Sequence, residues 1–261
     1  MLYGVIAGTG VADLLESPGE QRVLQTPYGE VALAVGTLGG EKVAFINRHG
    51  PRGFLAPHRV NYRGNIFALR DLGVQRVLAT AAVGAISEHL IPGHFVLVDE
   101  FLDFTKSRPL TFFDEGDRPP VHVDMCEAYC PNLRGDLTQA GLPLGERLHV
   151  AGTYLCAEGP RFETPAEIQV FRSFRADVVG MTGVPEVVLA REAGLCYATA
   201  AVVTNWAAGI ASEPLDSEEV AEMMRANIDE LRDLFAGAIA RGAERPGPCR
   251  CQSLGGPEGP P

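Results

Sequence analysis

Asn205 closes the apolar run in "AVVTNWAAG" (residues 201–209), immediately before Trp206, the single tryptophan of the chain. A carboxamide there offers a donor and an acceptor side by side, which suits a turn and equally suits the edge of a heterocyclic base. In "EGPRFETPAE" an acid follows an aromatic ring, Glu163 after Phe162, just ahead of a helix start. The ring can stack on a planar base while the carboxylate accepts from a ring N–H; the carboxylate also suits a helix N-terminus with no ligand at all.

Other stretches suit an anion. Gly8-Thr9-Gly10 follows the first apolar run, and its glycines admit backbone N–H groups and a hydroxyl to a phosphate, or simply make a turn. A dinucleotide fingerprint would need glycine at position 13, which is Asp13, so one phosphate fits better than a pyrophosphate. Asn47-Arg48-His49-Gly50 supplies a guanidinium for bidentate phosphate binding and an imidazole as a further donor, or else two solvated loop side chains. Residues 79–86, "ATAAVGAI", are small enough for backbone contact with a ligand or for tight packing. Met181 and Thr182 end another apolar run in "VVGMTGVPEVVLARE", whose Glu186 reads as a buried partner of an arginine.

The elements that must position these residues follow from periodicity. Apolar runs of strand length lie at 2–7, 31–35, 43–46, 77–81, 95–98, 149–155, 178–180 and 196–204. Thr164, Pro165 and Glu167 predict a capped helix start. A last helix from about 216 to 241 places Val220, Met223, Met224, Ile228, Leu231, Leu234, Phe235 and Ile239 on one face, as core. The alternation predicts an α/β sandwich with a largely parallel sheet, whose ligands sit at the carboxyl ends of strands. One domain over residues 1–242 is expected, followed by a Pro/Gly-rich tail, 243–261.

Composition narrows the classes. Of 261 residues 46% are hydrophobic, and 33 acids against 22 bases give a net charge of −11, which opposes general binding to nucleic acid or anionic lipid. The N-terminus lacks a basic targeting region and no apolar stretch reaches membrane-spanning length, so a soluble cytoplasmic protein is expected. Six cysteines are too sparse for a disulfide scaffold and lack histidines at zinc spacing. Most are expected in the core, no metal is assigned to "CEAYC" (Cys126, Cys130), and Cys249 and Cys251 are expected outside the core because Pro and Gly exclude regular structure around them.

Taken in order, Gly8-Thr9-Gly10, Arg48-His49-Gly50, "NYRGNIFAL" (61–69), "EGPRFET" (158–164), "GMTGVPEVVLARE" (180–192) and "TNWAAG" (204–209) resemble the purine nucleoside phosphorylase and methylthioadenosine phosphorylase family, over about residues 4–240. The resemblance implies a three-layer sandwich around a mixed, largely parallel sheet. It also implies reversible phosphorolysis of a purine nucleoside to free base and ribose 1-phosphate, with phosphate as co-substrate and no metal or organic cofactor. By that resemblance Thr9, Arg48, His49 and Thr182 hold phosphate, together with backbone of Ala81 and Ala82. Ala81 stands where methylthioadenosine enzymes have threonine. Met181 lies against the ribose, Tyr154 reaches a sugar hydroxyl, and Phe162 packs on the purine. Asn205 and Glu163 replace the Asp and small residue of adenine-preferring members, which implies a 6-oxopurine: Asn205 at O6 and N7, Glu163 accepting from N1–H, Ala207 leaving room. His49, Glu163 and Asn205 are thus the expected catalytic groups.

Ser217 aligns with the residue facing the 5′ substituent and matches neither the histidine of nucleoside enzymes nor the apolar residue of methylthio enzymes, so methylthioinosine or methylthioadenosine phosphorolysis stays open. His122 aligns with a residue entering the 5′ pocket from a neighbouring protomer, as in a homotrimer or dimer of trimers. Cys249-Arg250-Cys251 resembles the Cys-x-Cys ending of some thermophile members, associated there with disulfide chemistry. A nucleoside hydrolase and a non-catalytic nucleotide sensor are the rivals from other classes.

Overall fold

A computed structural model describes residues 2–8, 11, 14–17, 19–114, 119–211, 216–245 and 249–253. The strands are β1 (Tyr3–Ala7), β2 (Glu20–Thr26), β3 (Gly29–Leu38), β4 (Glu41–Asn47), β5 (Arg76–Ala85), β6 (Phe95–Leu97), β7 (Glu100–Phe104), β8 (Leu148–His149), β9 (Thr153–Ala157), β10 (Val178–Gly180) and β11 (Cys196–Trp206). The helices are α1 (Tyr62–Asp71), α2 (Pro131–Ala140), α3 (Pro165–Ser173), α4 (Gly183–Glu192), α5 (Ser217–Ala226) and α6 (Ile228–Ala243).

All these strands join one mixed sheet. Its main path runs β2-β3-β4-β1-β5-β10-β9-β7, and β11 pairs with β5 and β6 to one side. Pairings of β1 with β4 and β5, of β11 with β5, and of β9 with β10 and β7 are parallel; β10 meets β5 antiparallel. The expected mixed, largely parallel α/β sheet is therefore what the chain forms.

The central strands read as continuous apolar runs because both faces are covered. Successive side chains of β11 alternate between two cores: Tyr197, Ala201 and Val203 join Ile66, Leu69 and Val187 of α1 and α4, whereas Ala198, Ala200 and Val202 join Met224, Leu231 and Phe235 of α5 and α6. Each fully buried large aliphatic or aromatic side chain contributes roughly 1.5–3 kcal/mol relative to exposure. That two-sided packing holds the strand ends rigid.

Four expectations are corrected. The last helix is two, because Asn227 leaves helical geometry (φ −110°, ψ 14°) and its Nδ2 donates to the Met223 carbonyl at 2.8 Å, competing with the helix ladder. The run 149–155 is split, because the Asp99 and Asp177 carboxylates take the backbone N–H groups of Gly152 and Thr153, both at 2.9 Å. The edge strands β2 and β7 were missed, since exposed and polar residues break their apolar pattern. Finally, Cys251 is only 4% exposed and joins the α2–α6 core, with half-buried Cys249 packed beside it. Pro and Gly in that tail exclude long helices and strands, not burial of a short turn.

Candidate active site

A cavity of about 300 Å³ opens where strand ends converge. It is lined by Gly8 after β1, Arg48 and His49 after β4, Ala82 to Gly84 in β5, Met181 and Thr182 after β10, and Thr204 and Asn205 in β11. Phe162 and Glu163 close it from the segment after β9, and Ser217 from the start of α5. Strand direction reverses between β5 and β10, and the cavity lies beside that pairing, lined by Ala82 to Gly84 of β5 and by Val179 and Gly180 of β10.

Asn205 enters the cavity because β11 carries a bulge. Val203 pairs with Val83 and Asn205 with Gly84, leaving Thr204 as the extra residue. The Thr204 hydroxyl donates to Asn205 Oδ1 at 2.8 Å, and Asn205 Nδ2 donates to the Trp206 carbonyl at 2.8 Å. A carbonyl only accepts, so the amide nitrogen must face Trp206 and the orientation of the carboxamide is fixed. One N–H and one oxygen lone pair remain for a ligand. A Cβ on Gly84 would stand 3.2 Å from Asn205 Nδ2, so glycine there preserves room for the amide.

Glu163 is held by its neighbours. Thr164 caps α3 in a reciprocal box with Glu167, and Arg161 pairs with the same Glu167 at 2.7 Å, pinning the segment between them. Arg161 and the Thr164 N–H lower the Glu167 carboxyl to about 2, so that anchor stays ionised. Glu163 Oε1 is itself buried and has no hydrogen-bond partner among the described residues. Burial raises its carboxyl above the ordinary glutamate value, and nearby Glu167 adds to the rise.

Arg48 corrects one expectation. Its Nε and Nη2 both donate to Glu186 on α4 at 2.7 Å, Nη1 donates to the Thr80 carbonyl at 2.9 Å, and Tyr197 OH donates to Glu186 at 2.8 Å. The fork that would grip phosphate bidentately is thus engaged with Glu186, and two of the five N–H groups remain. Burial opposes the charge, but Glu186 outweighs it and the Arg48 pKa is raised. Gly8 lets the strand end approach: a Cβ there would lie 3.0 Å from Arg48 Nη1.

His49 differs from expectation as well. Its Nδ1 lies 2.7 Å from the Leu55 carbonyl, which must accept, so Nδ1 carries the proton and Nε2 of the neutral ring is an acceptor rather than a donor. Burial lowers its pKa, and the Arg48 charge lowers it further, so the neutral ring is favoured.

Of the remaining predicted residues, Phe162, Met181, Thr182, Ala82, Ala207 and Ser217 line the cavity. The Thr182 side chain caps no N–H of α4, which leaves its hydroxyl available. Tyr154 does not line it: fully buried, its hydroxyl accepts from the N–H groups of Thr182 and Gly183, so it positions that turn instead of reaching a sugar. Ala81 pairs with Ala201 inside the core and lies off the cavity wall. His122 is exposed and outside the lining, and Thr9 lies outside the described residues. Sequence reasoning missed Thr204 as the orienting hydroxyl and Thr80, whose Oγ1 accepts from the Gly8 N–H at 3.1 Å. Both sit inside quoted motifs, but their roles depend on pairing between distant strands. No lining residue belongs to the one cluster of metal-ligating groups found among the described residues, Cys130, Cys196, Cys249 and Cys251. Trp206 is 38% exposed and lines an adjoining cavity.

The phosphorylase superfamily matches residues 3–240. A protein of Moorella thermoacetica named "Probable 6-oxopurine nucleoside phosphorylase" is 52% identical over 258 residues, 98% of each chain. One of Methanopyrus kandleri named "Probable S-methyl-5'-thioinosine phosphorylase" is 48% identical over 260 residues, again 98% of each. The solved structure of methylthioadenosine phosphorylase from Schistosoma mansoni in complex with adenine superposes with a TM-score of 0.89 at 33% identity, covering 94% of this chain and 93% of that one.

Proposed function

Because the chain belongs to the phosphorylase superfamily, we propose that it is a purine nucleoside phosphorylase that cleaves the 6-oxopurine nucleosides inosine and guanosine with phosphate, in purine salvage. A phosphate oxygen forms the bond to C1′, the N9–C1′ pair passes to the base, and the products are ribose 1-phosphate and purine. Positive charge grows on the sugar and negative charge on the base, so the site needs an anion on one side and proton-sharing groups on the other.

The observation that carries the reading is the unpartnered Oε1 of Glu163 in the same cavity as the fixed amide of Asn205. A 6-oxopurine presents N1–H to that carboxylate and O6 to the spare Asn205 N–H; as the bond to C1′ breaks, the departing base takes a proton from solvent at N7 and donates that N7–H to the Asn205 oxygen. A 6-aminopurine presents a lone pair to Glu163 and a donor to the Asn205 N–H, leaving buried groups mispaired.

At the other end the spare Arg48 N–H groups, the Thr182 hydroxyl and backbone at Ala82 hold phosphate, joined by Thr9. Neutral His49 accepts the proton of monoprotonated phosphate through Nε2. Met181 packs on the ribose and Phe162 on the purine. No metal or organic cofactor takes part. Ser217 faces the 5′ end, with His122 contributed by a neighbouring subunit of a cytoplasmic homotrimer or dimer of trimers. Val220, one helical turn after Ser217, also lines the cavity, and this favours a second reading in which 5′-methylthioinosine is accepted.

Mixing the enzyme with inosine tests phosphorolysis. Turnover is expected to require phosphate and to release ribose 1-phosphate; equal turnover without phosphate, giving free ribose, would establish a hydrolase instead.

A further inference from the structure

Three remote segments bring four cysteines together at the end of the sheet opposite the cavity. Cys130 is the N-cap residue of α2, Cys196 begins β11, and Cys249 and Cys251 belong to the short turn that follows α6. Their four sulfurs all lie within 4.8 Å of one another, and all four thiols are free. Cys130, Cys196 and Cys251 are buried and Cys249 is half-buried. Asn205 lies nine residues along β11 from Cys196, roughly 30 Å away at strand rise.

We propose that Cys130, Cys196, Cys249 and Cys251 form a closed tetrahedral site for a single zinc ion. Zn–S bonds of about 2.3 Å at tetrahedral angles place sulfurs roughly 3.8 Å apart, and Cys130 Sγ lies 3.7 Å from Cys249 Sγ. Two disulfides would need the sulfurs drawn into close pairs, with no reason for all four to gather around one centre. A polynuclear iron–sulfur cluster, with each cysteine on a different iron, would hold them further apart. Four sulfur ligands and no open position make the site structural rather than catalytic.

The surroundings suit a tetrathiolate. The N-terminus of α2 adjoins Cys130, so the positive end of that helix faces the cluster. Arg245, just ahead of the C-terminal turn, pairs with Asp136 of α2 and holds that segment against the helix. Asn132 Nδ2 donates to Cys249 Sγ at 3.3 Å, a contact outside the ligands that orients that sulfur. Uptake of the ion displaces the thiol protons and involves no oxidation, so no further reactant is needed. The ion would clamp the C-terminal turn to α2 and to the start of β11.

The test uses the full chain, expressed with zinc present and purified without chelator. Elemental analysis should find about one zinc per chain, and Cys249→Ser and Cys251→Ser should each lower that content severalfold while kcat/KM for inosine is retained. Where a variant fails to fold, cobalt replacement in the unaltered protein gives the same answer through thiolate-to-metal charge-transfer and tetrahedral ligand-field absorption. Disulfides among these four cysteines in peptide maps, or metal-free protein whose cysteines titrate freely as thiols, would overturn the proposal.

Discussion

Glu163 and Asn205 divide the recognition of the base between a charged acceptor and a neutral, two-sided amide. Only the ionised form of Glu163 accepts from N1–H, and burial raises its pKa above the ordinary carboxylate value. Hence kcat/KM for inosine should fall as pH drops through that raised pKa. Glu163→Gln should remove this acid limb from the pH profile and lower inosine kcat/KM by roughly ten- to a hundredfold, the scale of a lost hydrogen bond to a charged group. An acid limb that survives in Glu163→Gln would assign it to another residue. Both residue types were legible from the sequence. What was not legible is that Arg48 commits Nε and one Nη2 N–H to Glu186, because that partner lies 138 residues further along the chain.

At the scale of elements, α4 and β11 prepare the phosphate end before any ligand arrives. Glu186 is fully buried, paired with Arg48 and bonded by Tyr197 from β11, so one ion pair ties β4, α4 and β11 together. Removing one partner of such a pair strands the other charge and costs roughly 3–5 kcal/mol. Glu186→Gln should therefore lose about that much stability in denaturant unfolding, together with phosphate affinity; unchanged stability would show that the pair is not needed to hold these elements. The α3 capping box was readable because its residues are sequence neighbours. The bulge that aims Asn205 was not, since register is decided by β5 across the sheet, and the break at Asn227 was hidden beneath a continuous apolar stripe.

The whole molecule assigns its two ends different work. Parallel strands packed between two helical layers gather the candidate base- and phosphate-binding groups at one end, while the other end carries the four cysteines that bring the C-terminal turn to the core. The alternation of strands and helices made the fold class and the motif order readable in advance. The tail was misjudged because composition reports which backbone shapes are excluded and says nothing of which side chains distant segments will bury. The central claim, that a buried carboxylate and an oriented amide select a 6-oxopurine, is tested most directly by the ratio of kcat/KM for inosine to that for adenosine at saturating phosphate. The account predicts a ratio of roughly 10² to 10⁴; a ratio near one, or a preference for adenosine, would contradict it.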